Sequence, residues 1–445
     1  MPSSRRSFLA TCAVGCSALA GCFSTADPAA EGSWSRRTLG NAHTGRSTTN
    51  GPTADLYTVW DRERPDSGVV NSSPVVEDGT LYHAYSQEAM SDEPGGAWVE
   101  AFDAATGDSE WTTELFRTDE SYYFYHSDSM VVDGDRLFVQ TKPGLTMLTT
   151  DGEEQWTFEN LYENQQTPDV VTPVVTDDIV VCGTYGSGID EQNPIVYGVD
   201  PETGAERWRT TLPEWGGMWQ LSASEEVVYV PSVRQGLIGL DLATGEEQWR
   251  WEGPISGTPT VVDDLLVFAL RNEDENQNED ENEFTLAAMD RHDRSLRWQV
   301  PIGSRWADAG LSVADGRIYL ETDFGVEARR LETGERVWRF GGDQDDYGKS
   351  SSDEPLVSLA ATPVVSGDAV YAPGYVQRET TFGHLFVIDA DTGEELDRIE
   401  MGRNEKARAA TPAVTSDLVF LTANHGTLYA FGECEFSVAG RCLRS

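Results

Sequence analysis

The sequence predicts an all-β protein, an eight-bladed β-propeller of four-stranded antiparallel blades that is closed by an N-terminal strand. Three observations predict this fold. A hairpin of strand, Thr-Gly turn and strand recurs along the chain, as in LIGLDLATGEEQWRW over 237–251, and its alternation is typical of half-buried strands. A second recurring pattern is a proline followed by β-branched residues and a tight turn. The last copy lacks one strand, which the N-terminal segment can supply.

The proline pattern gives the number of blades. Its clearest copy is SPVVEDGTLYHA, over 73–84. Related segments begin near Ser129, Thr172, Leu221, Thr258, Leu311, Thr362 and Thr411. From Pro74 to Pro412 the mean spacing is about 48 residues, within the roughly 40–50 residues of a four-stranded propeller blade. We therefore expect eight blades.

The hairpin pattern ends in a tryptophan in six of its seven copies, and Leu396 takes that place in the seventh. In five copies the tryptophan follows the turn glycine by four residues, whereas Arg294 replaces that glycine in the fifth copy, so we expect a different turn there. We expect the tryptophans to pack between neighbouring blades in a structural role. They are Trp111, Trp156, Trp208, Trp249, Trp298 and Trp338, together with Trp60 near the N-terminus.

Ring closure follows from the eighth copy. It stops after LYAFGE (428–433), with neither a Thr-Gly turn nor a tryptophan. The segment LYTVW (56–60) offers both a strand and Trp60. We expect this strand to complete the eighth blade, because closure leaves no strand edge unpaired. The predicted propeller spans 34–433.

The N-terminus carries an export pattern. Arg5 and Arg6 precede an apolar run from Phe8 to Gly21, which is too short to span a bilayer and is typical of a signal peptide. This pattern resembles a twin-arginine signal, which serves proteins that fold before export.

A lipoprotein box follows in the residues up to Cys22, whose thiol would become the acyl acceptor. The alternative is an ordinary cysteine in a discarded signal. We predict a signal peptide over 1–21, a flexible tether over 22–33 and a protein anchored through Cys22 to the outer face of the cytoplasmic membrane.

Four cysteines remain after removal of that signal. Cys182 lies in a strand pattern and is most simply a small core residue. Cys434 and Cys442 bracket a short loop, and outside the reducing cytoplasm they could form a disulfide that pins the C-terminal tail, 434–445.

The formal net charge is −44, with 76 acidic residues against 32 Lys and Arg. So much acid could serve a basic partner or a store of cations, or it could adapt the surface to molar salt, where screening removes self-repulsion. The even spread of acid along the chain favours salt adaptation. No basic stripe is available to neutralise phosphates, which disfavours a nucleic-acid partner.

Strand order predicts that the longer connections lie on one face, where ligand sites are favoured. Aromatic side chains recur in those connections. The candidate binding residues are Tyr122, Tyr123, Tyr125 and His126 after the first blade, Trp215 and Trp219 after the third, and Arg305 and Trp306 after the fifth. They could grip a flat ligand or a partner's peptide, or they could plug the funnel of the ring.

The hairpins VEAFDAATGDSEW (99–111), VYGVDPETGAERW (196–208) and VIDADTGEEL (387–396) resemble PQQ-type, or quinoprotein-like, propeller repeats. GNAHTG (40–45) resembles the opening of family members from salt-loving archaea. The resemblance covers roughly 34–433 and implies the propeller fold. Such repeats serve alcohol and sugar dehydrogenases, outer-membrane assembly scaffolds and sensor ectodomains alike.

The resemblance to the dehydrogenases implies an adjacent cysteine pair beside the quinone, a calcium held by Glu, Asn and Asp, and a catalytic Asp. This chain has no adjacent cysteines, and its histidines show no metal-ligand spacing. The sequence thus favours a non-catalytic scaffold without a cofactor, which recognises an envelope protein or an extracellular ligand. The alternatives are a PQQ- and calcium-dependent alcohol or sugar dehydrogenase, and a carbohydrate-binding or sensor ectodomain.

Overall fold

The computed structural model describes most of the chain from Ala30 onward. The described residues are 30–36, 38–47, 49–63, 69–87, 89, 94–118, 130–141, 144–159, 171–184, 193–212, 220–232, 235–271, 284–303, 310–322, 325–341, 356–359, 361–377, 382–403, 410–423, 426–434, 436–438 and 441–444.

The described strands form eight antiparallel blades, as the sequence predicts. Two strands, β1 (Arg46–Ser47) and β2 (Leu56–Arg62), precede the repeats. Blade 1 contains β3 (Val69–Asn71), β4 (Val75–Glu77), β5 (Thr80–Gln87), β6 (Gly95–Asp103) and β7 (Ser109–Thr118). Blade 2 contains β8 (Met130–Asp133), β9 (Arg136–Gln140), β10 (Leu145–Thr149) and β11 (Glu154–Phe158). Blade 3 contains β12 (Val174–Val175), β13 (Val180–Gly183), β14 (Ile195–Val199) and β15 (Glu206–Thr211). Blade 4 contains β16 (Ser222–Ala223), β17 (Val227–Ser232), β18 (Gly236–Asp241) and β19 (Glu247–Trp251).

The second half of the ring repeats this order. Blade 5 contains β20 (Ile255–Val262), β21 (Leu265–Arg271), β22 (Phe284–Asp290) and β23 (Leu296–Gly303). Blade 6 contains β24 (Leu311–Ala314), β25 (Arg317–Thr322), β26 (Gly325–Arg330) and β27 (Arg336–Phe340). Blade 7 contains β28 (Leu356–Leu359), β29 (Val364–Ser366), β30 (Ala369–Gln377), β31 (Phe382–Asp389) and β32 (Glu395–Arg403). Blade 8 contains β33 (Ala413–Val414), β34 (Leu418–Thr422) and β35 (Leu428–Glu433), and a hairpin of β36 (Phe436–Val438) and β37 (Arg441–Arg444) ends the chain.

The first strand of each blade lies at the central axis. First strands of neighbouring blades contact one another, as β4 does with β8 and β20 with β24. In blades 1 and 7 the first strand is split into two pieces, each paired with the second strand. The buried apolar residues pack in clusters between successive blades.

The N-terminal strand closes the ring, which confirms the predicted architecture. Strand β2 pairs antiparallel with β35 as the outer strand of blade 8, from Leu56 opposite Glu433 to Arg62 opposite Leu428. Trp60 is 7% exposed and packs in the cluster that joins blades 8 and 1. Closure replaces a free edge with a full backbone ladder.

The turn after the first strand and the turn after the third strand share one face of the ring. Backbone hydrogen bonds join the two turns of a blade, as between the Ala104 amide and the Gly79 carbonyl (2.9 Å) in blade 1. We call this side the turn face, and the opposite side, where the second strand connects to the third and each blade to the next, the loop face.

An aspartate organises the turn after the third strand. In blade 3 the Asp200 carboxylate accepts hydrogen bonds from the Thr203 amide (2.8 Å) and hydroxyl (2.9 Å). The Arg207 guanidinium and Thr203 lower the pKa of Asp200 to about 2. Asp241 and Asp389 hold the corresponding turns with the same set of bonds.

The expectation of a different turn at Arg294 is wrong. Arg294 adopts a φ of 62°, and its amide donates to the Asp290 carbonyl at 2.9 Å, as Gly204 does to Asp200 in blade 3. The carboxylates of Asp290 and Asp293 accept amide hydrogen bonds within this turn. Those bonds hold a left-handed conformation that costs an L-residue about 1 kcal/mol.

The tryptophans lie between blades, each on the turn of the next blade. A Cβ added at Gly107 would lie 2.5 Å from the Trp60 ring, and the Trp60 indole N–H donates to the Ala104 carbonyl at 3.0 Å. The same indole-to-carbonyl bond joins Trp111 to Thr150, Trp156 to Pro201, Trp298 to Leu331 and Trp338 to Ala390. At these junctions the turn therefore requires glycine for two reasons: its backbone φ is positive, and a Cβ would collide with the tryptophan ring of the preceding blade.

Trp208 shows how this contact varies. A Cβ at Gly198 of the same blade would lie 2.2 Å from the Trp208 indole nitrogen, so the indole rests on its own third strand. Its N–H has no hydrogen-bond partner among the described residues. Its ring still covers the next turn, because a Cβ at Gly245 would lie 2.3 Å from it.

Two glycines allow a direct test of the junction between blades 8 and 1. Gly107 and Gly79 both have positive φ, 67° and 81°, but a Cβ at Gly79 would meet nothing within 4 Å. We expect Gly79→Ala to cost about 1 kcal/mol for its backbone alone. Gly107→Ala should cost about 1–3 kcal/mol more because it forces the Trp60 ring to move. Denaturant unfolding in molar salt measures both, and equal losses would contradict this role of Trp60.

Candidate functional site: the central channel

The channel, where a propeller commonly holds its ligand, contains the chain's own N-terminal segment. We call the described residues 31–36 and 38–47 the belt. The belt contacts the blades in ring order and returns to the blade at which it started. The Glu31 carbonyl accepts from the Ser416 amide of blade 8 (3.0 Å), and the Ser47 hydroxyl lies 3.5 Å from the Val414 carbonyl of the same blade.

Equivalent residues of the first strands donate their amides to the belt. Trp34 exchanges two backbone hydrogen bonds with Val76 of blade 1, at 2.8 and 3.0 Å. The other backbone amide donors are Val132 to Ser35, Ala223 to Asn41, Val261 to Ala42, Val313 to Thr44 and Val365 to Gly45, at 2.7–2.9 Å. Strand β1 then runs parallel to β29 in blade 7. The belt therefore pairs the inner edge of blade after blade at the end nearest the turn face.

Asn41 serves two blades. Its backbone carbonyl accepts from the Ala223 amide of blade 4. Its side-chain Nδ2 donates to the Val175 carbonyl (2.5 Å) of blade 3, and its side-chain Oδ1 accepts from the Val175 amide (3.2 Å). The side chain thus takes the place of a neighbouring strand's backbone. The Arg36 guanidinium donates to the same Asn41 oxygen at 2.6 Å, which fixes the orientation of the amide group.

Arg36 and His43 form the buried polar centre of the belt. Arg36 is 1% exposed, and burial lowers its pKa to about 9. The His43 ring lies between the Thr38 hydroxyl (2.6 Å) and the Leu221 carbonyl (2.7 Å) of blade 4. These contacts attach the belt to the ring through side chains as well as backbone. The buried polar groups here therefore have a structural role.

Gly45 shows why the belt tolerates few substitutions. Its φ is 60°, and an added Cβ would lie 1.9 Å from the Ser312 hydroxyl of blade 6. That hydroxyl donates to the Pro363 carbonyl of blade 7 (2.5 Å), so it cannot easily move away. The motif GNAHTG is thus explained by close backbone approach to the axis.

After the belt, the chain leaves the axis between blades 7 and 8. The Ser366 hydroxyl donates to the Thr49 carbonyl (2.6 Å), and the Tyr371 hydroxyl donates to the Pro52 carbonyl (2.9 Å). Gly51 lies so close to Val414 and Tyr371 that a Cβ would fall within 2.6 Å of both. This is the junction without a tryptophan, and the expectation that Leu396 takes its place is wrong. Asp397 lies opposite Val387 as Trp111 lies opposite Ala101 in blade 1, and its carboxylate accepts from the Leu56 amide at 2.7 Å. Residues 49–55 therefore pass through the junction from which the tryptophan and the turn are missing.

The predicted binding residues of the loop face lie outside the described residues. They are Tyr122, Tyr123, Tyr125, His126, Trp215, Trp219, Arg305 and Trp306. Arg5, Arg6 and Cys22 also lie outside the described ranges. The belt, in contrast, is a site that the sequence analysis missed, because its residues read as turn formers and show no strand alternation. Its one available signal was GNAHTG.

The cysteines occupy structural positions. Cys434 and Cys442 form a disulfide in the C-terminal hairpin, and the Cys434 amide donates to the Asp55 carbonyl (3.1 Å) beside the closing strand. Cys182 lies in the core between blades 2 and 3, where burial raises the pKa of its thiol. A buried thiol with a raised pKa is chemically inert.

Among the described residues, no group of three His, Cys, Asp or Glu side chains could hold a metal ion. No helix in the described ranges has the length and apolar character that crossing a membrane requires. In the described channel, the hydrogen bonds run between the blades and the belt's own backbone and side chains.

The ring, its repeat turns and its tryptophan junctions define a propeller of the PQQ-repeat class. A family model described as outer membrane protein assembly factor BamB matches residues 44–194 and 192–433. The chain belongs to this family. The match begins inside the belt, so residues 31–43 precede it.

Known proteins give the same fold. Outer membrane protein assembly factor BamB of Yersinia pestis is 25% identical over 355 residues, which cover 75% of this chain and 79% of that protein. The structure of BamB from Moraxella catarrhalis matches with a TM-score of 0.56 at 17% identity, over 86% of this chain and all of that one (100%). Quinohemoprotein alcohol dehydrogenase from Comamonas testosteroni matches with a TM-score of 0.63 at 15% identity, over 94% and 84% of the two chains. Because the sequence identity to these two solved structures is so low, the structural similarity shows the fold alone.

Asn41 provides a test of the belt. Asn41→Ala would leave the buried amide and carbonyl of Val175 without these partners, and we expect it to lower the free energy of unfolding by about 2–4 kcal/mol. Asn50→Ala is the matched control, because Asn50 is exposed where the chain leaves the axis, and its loss should stay within about 0.5 kcal/mol. Guanidinium unfolding in molar salt, followed by tryptophan fluorescence, gives both values. Equal stability of the two variants would show that the belt is not part of the cooperative fold.

Proposed function

We propose that this chain is a non-catalytic, lipid-anchored β-propeller outside the cytoplasm, which acts as a protein-interaction or ligand-recognition scaffold at the cell surface. Its membership of the BamB family supports the scaffold role, since the family name describes a factor in protein assembly. The fold by itself would serve enzymes equally well, so the argument depends on the channel.

One observation carries the proposal. The belt takes the hydrogen-bonding groups of the first strands at the turn-face end of the axis, and the groups that a ligand would use there bind the chain itself. A ligand or partner must therefore be recognised elsewhere. The loop face, with its predicted aromatic residues, is the surface that we propose for this role.

The location follows from the N-terminal pattern and the composition. The pattern of Arg5 and Arg6 supports export, and Cys22 supports acylation. The net charge of −44 supports a protein surface adapted to molar salt. Salt-loving archaea lack an outer membrane, so we place the anchor in the outer leaflet of the cytoplasmic membrane. The partner that we propose is another envelope protein or an extracellular ligand, and no cofactor is needed for this role.

Crosslinking in native membranes tests the scaffold role. We expect the neighbours captured by the native protein to be lost from a variant that carries Tyr122→Ala, Tyr125→Ala, Trp215→Ala and Trp219→Ala. They should be kept by Glu225→Ala/Glu226→Ala, a control on the turn face. Melting temperatures establish that both variants fold. An unchanged set of neighbours in the loop variant would contradict the proposed surface.

Incubation with PQQ and Ca²⁺ in molar salt tests the enzymatic alternative. We expect no bound quinone spectrum and no dye reduction with alcohols or sugars, since the chain has no adjacent cysteine pair. A bound spectrum together with alcohol- or sugar-dependent dye reduction would overturn the non-catalytic role. Saturable binding on a glycan panel without dye reduction would instead identify a carbohydrate-binding ectodomain.

A further inference from the structure

We propose that the propeller stands with its turn face toward the membrane and its loop face away from it. This orientation rests on the lipid anchor of the proposed function. The proposal concerns which surface remains open to a partner, and it follows from where the described chain enters the ring.

The chain enters at the turn face, close to the axis. Residues 30–33 line a hollow of about 530 Å³ together with Asp78 and Gly79, which form a turn of the turn face in blade 1. The Glu31 carbonyl bonds to Ser416, which lies in the equivalent turn of blade 8. Trp34, only three residues further on, is fully buried against Val76. The entry point is therefore at the mouth of the channel and not at the rim.

The belt holds this entry point in place. Its hydrogen bonds to the successive blades prevent the belt from leaving the axis without breaking its pairing with the first strands. The anchor's freedom is consequently limited to the chain between Cys22 and Ala30. Eight residues reach at most about 26–29 Å when fully extended.

That reach decides between the two faces. A tether that brought the loop face to the membrane would have to cross three strand spacings to the rim, about 14 Å, and then pass one strand length. Strand β21 has seven residues, or about 23 Å at roughly 3.3 Å per residue. The sum is longer than the tether. The turn face lies directly at the tether's origin, so it is the face within reach of the bilayer.

Charge does not oppose this orientation in molar salt. The turns after the first strands carry many carboxylates: Asp78, Asp133, Asp135, Asp177, Asp178, Glu225, Glu226, Asp263, Asp264, Asp315, Asp368 and Asp417. Anionic lipid headgroups would repel such a face at low ionic strength. At about 1 M salt the screening length is about 3 Å, so the tether and not electrostatics sets the orientation.

Two cysteine substitutions at opposite ends of one strand report the orientation. Asp264→Cys lies at the turn that precedes β21, and Arg271→Cys at its loop-face end, and both positions are exposed. Cys182 is buried, and Cys434 and Cys442 are joined, so the native thiols of the propeller do not compete for the label. Each variant, as the full-length lipidated protein in vesicles, is labelled with a fluorescent donor, and the acceptor is attached to lipid headgroups.

We expect energy transfer in molar salt to be several-fold more efficient from position 264 than from position 271. Equal or reversed efficiencies, with Cys22 acylated by mass spectrometry, would overturn the orientation and leave the anchor intact. An unmodified Cys22 with no transfer at either position would reject the anchor and the orientation with it. As a matched control, a long Gly/Ser insertion within residues 23–29 should remove the difference while the melting temperature stays unchanged. A difference that survives the insertion would show that the tether does not set it.

Discussion

The inner edge of each blade is the constraint on which the rest of this molecule depends. A four-stranded blade presents the backbone groups of its first strand to the axis, where they need partners as buried polar groups do. Here the belt supplies those partners, from Trp34 at blade 1 to Gly45 at blade 7. One irregular segment thus accepts hydrogen bonds from the inner edge of blade after blade. The consequence is that the ring and its N-terminal segment form a single structure.

The same segment accounts for both departures from the repeat. Blade 8 has no outer strand of its own, and β2 supplies one. Without a hairpin, blade 8 also has no Thr-Gly turn on which a tryptophan could pack, and blade 7 has Asp397 in the tryptophan position, where its carboxylate accepts from the Leu56 amide. Residues 49–55 cross this junction on their way from the axis to the rim. The missing outer strand of blade 8 and the missing tryptophan of blade 7 therefore have the same structural cause, which is the passage of the N-terminal segment through this junction.

The junctions also show how a repeat tolerates variation. The Trp208 ring keeps its contact with the next turn, but its indole N–H lacks the usual carbonyl partner among the described residues. Gly198 has no Cβ, so the indole can lie against the third strand of its own blade. Arg294 keeps the turn without a glycine, since carboxylate bonds hold the backbone, and its guanidinium lies 6.0 Å from the Trp249 ring centroid. The ring contact with the next blade is kept at both sites, while the Trp208 indole has no hydrogen-bond partner among the described residues.

Much of the architecture could be predicted from local patterns. The number of blades, the turn aspartates and the closing role of the strand that contains Trp60 all depend on periodicity, which a sequence displays directly. The turn at Arg294 could not be predicted, because the residue's cost in a left-handed conformation is outweighed by bonds from Asp290 and Asp293 that only the folded turn reveals. The loop-face residues, such as Trp215, lie outside the described ranges and stay a prediction.

The sequence by itself determined the repeat, its period and the missing strand, because each of these is a property of neighbouring residues. Only the tertiary structure decided the course of the belt. Asn41 pairs with Val175 across 134 positions, and His43 with Leu221 across 178. These contacts follow no local period, since an irregular segment is shaped by the eight edges that surround it and not by its own side-chain alternation.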